Sequence, residues 1–123
     1  MPRVLICGSR DWHDERLIGS VVAALPLGST VIHGAAPGAD TIAARAASKA
    51  GTLNVEAYPA NWAQYGRAAG PIRNKLMLEL GRPDLVVAFR LDGPSKGTDN
   101  MIQQARKAGV PVTVVSGKRR ESR

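Results

Sequence analysis

The feature that most limits the fold is a hydrophobic period that switches back and forth along the chain. Short apolar runs alternate with stretches whose apolar residues recur at helical spacing, and glycine or proline marks most junctions. VLICGS (4–9) is continuous, as expected of a strand covered on both faces. DERLIGSVVAAL (14–25) then sets Leu17, Ile18, Val21, Val22 and Leu25 on one helical face. STVIHG (29–34) reads as the second strand, and GADTIAARAASKAG (38–51) as a helix stopped by Gly51. LNVEAYPA (53–60) is the third strand. A polar, aromatic connection, NWAQYGRAAG (61–70), leads into the helix PIRNKLMLELG (71–81), with Pro71 in its first turn and Gly81 after its last. DLVVAF (84–89) and VPVTVVS (110–116) complete the strands, joined by a helix starting near Thr98.

Strands separated by helices require right-handed crossovers, hence a parallel sheet between two helical layers. The expectation is one Rossmann-like α/β domain over residues 1–117, with a five-stranded parallel sheet in the order 3-2-1-4-5. A basic, disordered tail is expected at 118–123. The chain's 123 residues allow one domain with a real core and exclude two. Cys7 is the single cysteine, so an internal disulfide is excluded and an inert buried thiol is expected. No apolar stretch reaches the roughly 18 to 20 residues of a membrane span. With only MPR before the first strand, no cleavable signal peptide is expected, and the expected location is cytoplasmic. Four basic groups and one acid in KRRESR (118–123) carry +3 of the net +7, so the basic balance alone does not make the domain a nucleic-acid binder.

In a doubly wound sheet, ligands bind beyond the carboxyl ends of the strands, where strand order reverses. Here those ends carry GSRDW after strand one, HGAAPGAD after strand two and RLDGPSKGT after strand four. The amino ends read PRV, GST, GRPD and GVP, with nothing comparable. Gly93, Ser95, Lys96, Gly97 and Thr98 form the strongest constellation: Gly97 lets a ligand approach the backbone, and a helix start offers free N–H groups and partial positive charge. A plain strand-to-helix turn capped by Thr98 accounts for the same spacing. Gly8, Ser9 and Arg10 offer amides and a guanidinium fork for a phosphate or carboxylate, unless Arg10 merely pairs with Asp11 or Asp14. The dinucleotide fingerprint G-x-G-x-x-G is absent, which disfavours NAD or FAD bound in the usual Rossmann way; no cofactor is expected.

Gly34, Ala35, Gly38 and Asp40 lie in a small-residue loop that leaves space for a ribose or base, although Asp40 suits a helix cap equally well. His33, at a strand end, reads more readily as a hydrogen-bonded structural residue than as a catalyst. No second ligand has metal spacing with it, so no metal is expected. Arg73 is placed in the first turn of its helix, where a cation opposes the helix dipole unless an anion binds there. Arg67 and Lys75 lie near it in sequence and suit a solvated face as well. Trp62 and Tyr65 are placed to cover a base or to pack the connection onto the domain.

Taken together, GSRDW, HGAAPGAD, Trp62, GPIRN and PDLVVAF…GT resemble the SLOG superfamily, most closely its small stand-alone YspA-like, YpsA-related branch in bacteria and phages. The resemblance runs from about residue 3 to 116, and GPIRN brings Asn74 into the expected site beside Arg73. It implies a Rossmann-like fold, a nucleotide or nucleotide-derived ligand, and a homodimer or higher homo-oligomer. The alanine face Ala43, Ala46, Ala47 and Ala50 suits such an interface or the sheet. The superfamily's lonely-guy phosphoribohydrolases carry P-G-G-x-G-T-x-x-E with a catalytic glutamate. Aligned on Gly97-Thr98, that position is Met101 here. Methionine can neither stabilise an oxocarbenium ion nor activate water. Arg73, Asp40, Asp99 and Asp92 remain as candidates for chemistry. The implied function is a nucleotide sensor or sequestering module. N-glycosidic hydrolysis of nucleotides is the alternative, and single-stranded nucleic-acid binding, as in the related DprA domain, is the second.

Overall fold

The computed structural model describes residues 2–119. Strands β1 (Arg3–Gly8), β2 (Thr30–His33), β3 (Asn54–Ala57), β4 (Leu85–Leu91) and β5 (Val112–Gly117) form one sheet, all parallel, in the order β3-β2-β1-β4-β5. Order reverses between β1 and β4, as the sequence predicts. Helices α1 (Glu15–Ala23) and α2 (Ala39–Ala50) cover one face; α4 (Ala69–Gly81) and α5 (Lys96–Lys107) cover the other.

The alternation of side chains along a strand explains how one apolar run serves two cores. Val4 and Ile6 point into the cluster with Ile18 and Val22 of α1 and Ala39, Ala43 and Ala47 of α2. Leu5 and Cys7 point the other way, toward Met77 of α4 and Met101, Ile102 and Ala105 of α5. Each fully buried side chain of the size of Leu5, Ile6 or Phe89 contributes about 1.5 to 3 kcal/mol. Trp12 stacks edge-on against Phe89 with centroids 5.3 Å apart, and its Nε1–H is satisfied by the Asp14 carbonyl at 2.9 Å. The alanine face of α2 is occupied by the domain's own core through Ala43, Ala46 and Ala47, leaving Ala50 exposed.

Several elements differ from expectation. Helix α1 is shorter, and Leu17 lies outside its buried stripe, 43% exposed. Strand β3 is confined to four residues at the sheet edge, three exposed and Glu56 half-buried. The connection after it folds into a short helix α3 (Trp62–Tyr65), N-capped by Asn61, and a 3-10 turn over Gly66–Ala68. Helix α4 begins at Ala69, so Pro71 is its third residue and Arg73 its fifth; it ends on left-handed Arg82 rather than on Gly81. The dipole argument for Arg73 therefore lapses, because that effect fades beyond the first turn. Helix α5 starts at Lys96 with Ser95 as N-cap, two residues before Thr98. Of the expected tail, Arg119 is tied to Asp92, Pro94 and Asp11, and 120–123 lie outside the described residues. Among the described residues no helix is long and apolar enough to cross a membrane.

Candidate functional site

A crevice of about 910 Å³ opens at the carboxyl edge of the sheet, in the size range of small-molecule sites. Its walls come from the loops after β1, β2 and β4, the first turns of α5, the first half of α4, and the connection after β3. Gly8, Ser9, Arg10, Gly34, Ala35, Asp40, Trp62, Arg73, Asn74, Ser95, Lys96, Gly97 and Thr98 all line it. His33, Gly38, Gly93 and Asp99 do not. The structure adds Asp11, Arg67, Asn100 and Arg119 to the lining, with Cys7 and Met77 also part of it.

The loops are fastened at Ser9, which is buried. Its N–H donates to the Phe89 carbonyl at 2.9 Å, its Oγ accepts the Leu91 N–H at 3.0 Å and meets Ser95 Oγ at 2.9 Å. Its carbonyl accepts the Trp12 N–H. Ser9 thus joins the β1 loop to the start of α5, and its hydroxyl is already committed. Gly8 is required by packing, since a Cβ there would meet the Phe89 carbonyl and the Ala39 side chain. Gly38 has φ +81°, and a Cβ would strike the carbonyls of Ser9 and Arg10. Gly38 supports the wall from behind.

The start of α5 is different. Ser95 caps it without a side-chain bond to the helix amides, and the first amide to bond back is Asp99, to the Ser95 carbonyl at 2.9 Å. The N–H groups of Lys96, Gly97 and Thr98 therefore have no acceptor among the described residues. A Cβ at Gly97 would meet nothing within 4 Å. Free amides, the positive end of the helix dipole and open space together suit an anion.

Arg73 and Asp40 set the electrostatics. Arg73 donates through Nη1 to the Gly34 carbonyl and through Nε to Asn74 Oδ1 at 3.0 Å. Asp40 Oδ2 accepts the Gly34 N–H at 2.8 Å, so the Gly34 peptide is held from both ends. Burial pushes the Asp40 carboxyl up to about 6, opposed by the Gly34 N–H, the Arg73 charge and the Ala36 N–H. Burial lowers Arg73 from its ordinary value while Asp40 and Cys7 resist the change; a guanidinium still stays charged. The Cys7 thiol is pushed far up by burial and then by Asp40, so it is no nucleophile.

His33 Nδ1 accepts the Ala35 N–H at 3.0 Å, which fixes its proton on Nε2. Burial and then Arg73 lower its pKa, so it is neutral. That bond supports Ala35 in a left-handed conformation, φ 54°. His33 shapes the loop and does not line the crevice. Asn74 Nδ2 reaches the Gly97 carbonyl at 3.2 Å and Asn100 Oδ1 at 3.1 Å, and Gln104 Nε2 bonds that same oxygen at 2.7 Å. Asn100 and Gln104, one helical turn apart, were the overlooked signal of this polar seam between α4 and α5.

Of the carboxylates weighed for chemistry, only Asp40 lines the crevice. Asp99 is a correction: it forks with Arg90 at 2.6 and 3.1 Å, and that bond holds its carboxyl below its usual range. Asp92 Oδ1 accepts the Arg119 N–H at 2.7 Å. Met101, which aligns with the glutamate of the phosphoribohydrolase motif, is fully buried in the core. Trp62 is 58% exposed at the rim, while Tyr65 is exposed and outside the lining. Among the described residues no group of three or more His, Cys, Asp or Glu side chains is placed to hold a metal.

Residues 2–65, just over half the chain, match the sequence profile of the YspA, cpYpsA-related SLOG family (YAcAr). That segment contains the loops after β1 and β2, and Trp62. Over 120 residues the chain is 40% identical to the Gene 61 protein of Mycobacterium phage D29, covering 91% of this chain and 94% of that one. With the profile match spanning more than half of its residues, the chain belongs to the YspA, cpYpsA-related SLOG family.

Proposed function

We propose that this protein binds a nucleotide or nucleotide-derived small molecule in the carboxyl-edge crevice, as a sensor or sequestering module. The observation that carries the proposal is the unoccupied run of amides at Lys96, Gly97 and Thr98, in the same crevice as Arg73. A phosphate there would gain charge-assisted bonds from several N–H groups and a guanidinium. Arg10, Arg67, Lys96 and Arg119 add positive charge around the lining, against Asp11 and the buried Asp40. The indole of Trp62 is exposed at the rim, and stacking of a base on it is worth roughly 1 to 3 kcal/mol. Family membership is consistent with nucleotide-related function. Calorimetric titration with AMP, ADP-ribose and cyclic nucleotides tests the reading. Saturable heat from at least one supports it; no heat from any contradicts it.

One observation favours a second reading. A buried carboxyl titrating at about 6 is poised for general acid-base work, and Asp40 lies in the lining near Arg73. In an N-glycosidase, Asp40 would protonate the departing base or activate water while Arg73 held the phosphate. Release of free base from nucleoside monophosphates, lost in Asp40→Asn, would establish it. Intact substrate after long incubation at high protein concentration would exclude it for those substrates.

A further inference from the structure

Just beyond β5, Arg119 joins the β4–α5 loop to the β1 loop at the lining of the crevice. Its N–H donates to Asp92 Oδ1 at 2.7 Å and its Nε to the Asp92 carbonyl at 3.1 Å. Nη2 donates to the Pro94 carbonyl at 2.8 Å, and Nη1 to Asp11 Oδ2 at 2.8 Å. The first three bonds fix the residue on the β4–α5 loop and use uncharged acceptors or the backbone. The fourth is of another kind. It reaches a carboxylate on the β1 loop whose side chain is 73% exposed, and both Asp11 and Arg119 line the crevice.

We propose that Arg119 is an anion-binding residue of the crevice and that Asp11 occupies its free side until a phosphate arrives. This rests on the nucleotide reading above. Three observations support the exchange. The anchoring bonds to Asp92 and Pro94 survive the loss of Asp11, so the guanidinium stays in place when its ion pair opens. An exposed ion pair contributes little and opens easily, whereas a guanidinium forks strongly onto phosphate. Pro94, which holds Nη2, directly precedes the N-cap of the helix whose first amides are free. Arg119 therefore supplies a side-chain charge to the same phosphate that those amides receive. Asp11 acts as a built-in competitor that lowers the affinity for anions.

A purely structural latch would behave differently, because opening it from either side would loosen the same lip. Titrations of AMP and ADP-ribose into the wild type, Arg119→Ala, Arg119→Lys and Asp11→Asn separate the two. Arg119→Ala is expected to weaken binding about tenfold or more, the scale of a lost charged hydrogen bond. Arg119→Lys, which keeps the charge without the fork, falls between it and the wild type. Asp11→Asn is expected to tighten binding about threefold, the scale of a removed surface ion pair. Unchanged binding in Arg119→Ala, or equal weakening in Arg119→Ala and Asp11→Asn, overturns the inference and leaves the nucleotide reading standing. A wild type that binds neither of these compounds nor a cyclic nucleotide removes both.

Discussion

Helices α2 and α5 enter through GAAPGAD (34–40) and GPSKGTD (93–99), loops with the same spacing: glycine, glycine four residues on, aspartate two beyond that. Both leave the carboxyl end of a central strand. The helix start is shifted by two residues between them. Helix α2 begins one residue after its second glycine, so Gly38 is the left-handed N-cap pressed onto the β1 loop. Helix α5 begins one residue before its second glycine, so Gly97 is helical and faces open space. The aspartates diverge as a result. Asp40 folds back onto the Gly34 N–H inside the protein, while Asp99 turns away to Arg90. The aspartate of one loop bonds within that loop, while the other loop leaves the first amides of its helix without an acceptor among the described residues. Identical spacing does not make identical sites; the position of the helix start within the spacing decides.

The comparison is broken most directly at its glycines. Gly38→Ala must fit a Cβ at positive φ against two backbone carbonyls, and is expected to lose about 3 kcal/mol or more in denaturant unfolding. Gly97→Ala should unfold no earlier than the wild type, and gain up to about 1 kcal/mol of helix propensity. A neutral Gly38→Ala, or a strongly destabilised Gly97→Ala, would refute the contrast.

The aspartates sharpen it through pH. The folded pKa of Asp40, about 6, lies above its ordinary 3.8. The folded state thus holds this proton more tightly, and the stabilisation is present below about pH 4 and lost as pH rises through 6. Between wild type and Asp40→Asn, the difference in unfolding free energy should change by about 3 kcal/mol over that window, at 1.36 kcal/mol per pKa unit. A parallel pair of curves would contradict the burial of the charged carboxyl. The same proton should matter to a ligand. Discharging Asp40 leaves Arg73 uncompensated, so affinity for ADP-ribose, whose pyrophosphate does not titrate near 6, should rise as pH falls from 7 to 5. Asp40→Asn should abolish that rise.

The binding arm comes next in size. Although Gly97→Ala spares the fold, its methyl group enters the space where a phosphate would meet the amides. Nucleotide affinity should fall roughly tenfold, equivalent to 1.4 kcal/mol. Asp99→Asn gives the smallest effect and the opposite sign to Asp40. Its pKa is depressed by the Arg90 bond, so its contribution is present above about pH 4 and lost as pH falls further. The variant should differ slightly from the wild type in stability at neutral pH and converge with it in acid, with nucleotide binding unchanged.

The sheet was legible because its two central strands, β1 and β4, are nearly continuous apolar runs, because helical patterns separate all five, and because chirality allows few ways of winding five parallel strands. The carboxyl-edge location of the crevice followed from the same logic. The start of α5 was not legible, since it depends on Ser95 meeting Ser9, a contact across 86 positions of sequence. Nor could spacing tell residues that line the crevice from those that back it. Gly38 and His33 sit in the right loop and act on neighbouring backbone. Arg119 was hidden for a related reason: alone in sequence it is one basic residue among several, and its partners Asp11 and Asp92 lie on other loops.

The most direct test of the contrast between the two loops is the change in backbone amide resonances as AMP or ADP-ribose is added to isotopically labelled protein. The amides of Lys96, Gly97 and Thr98 should shift most and saturate together, while those of Gly38 and Ala39 stay nearly still. Saturating shifts centred on Gly38 and Ala39, or none at the start of α5, would contradict the account.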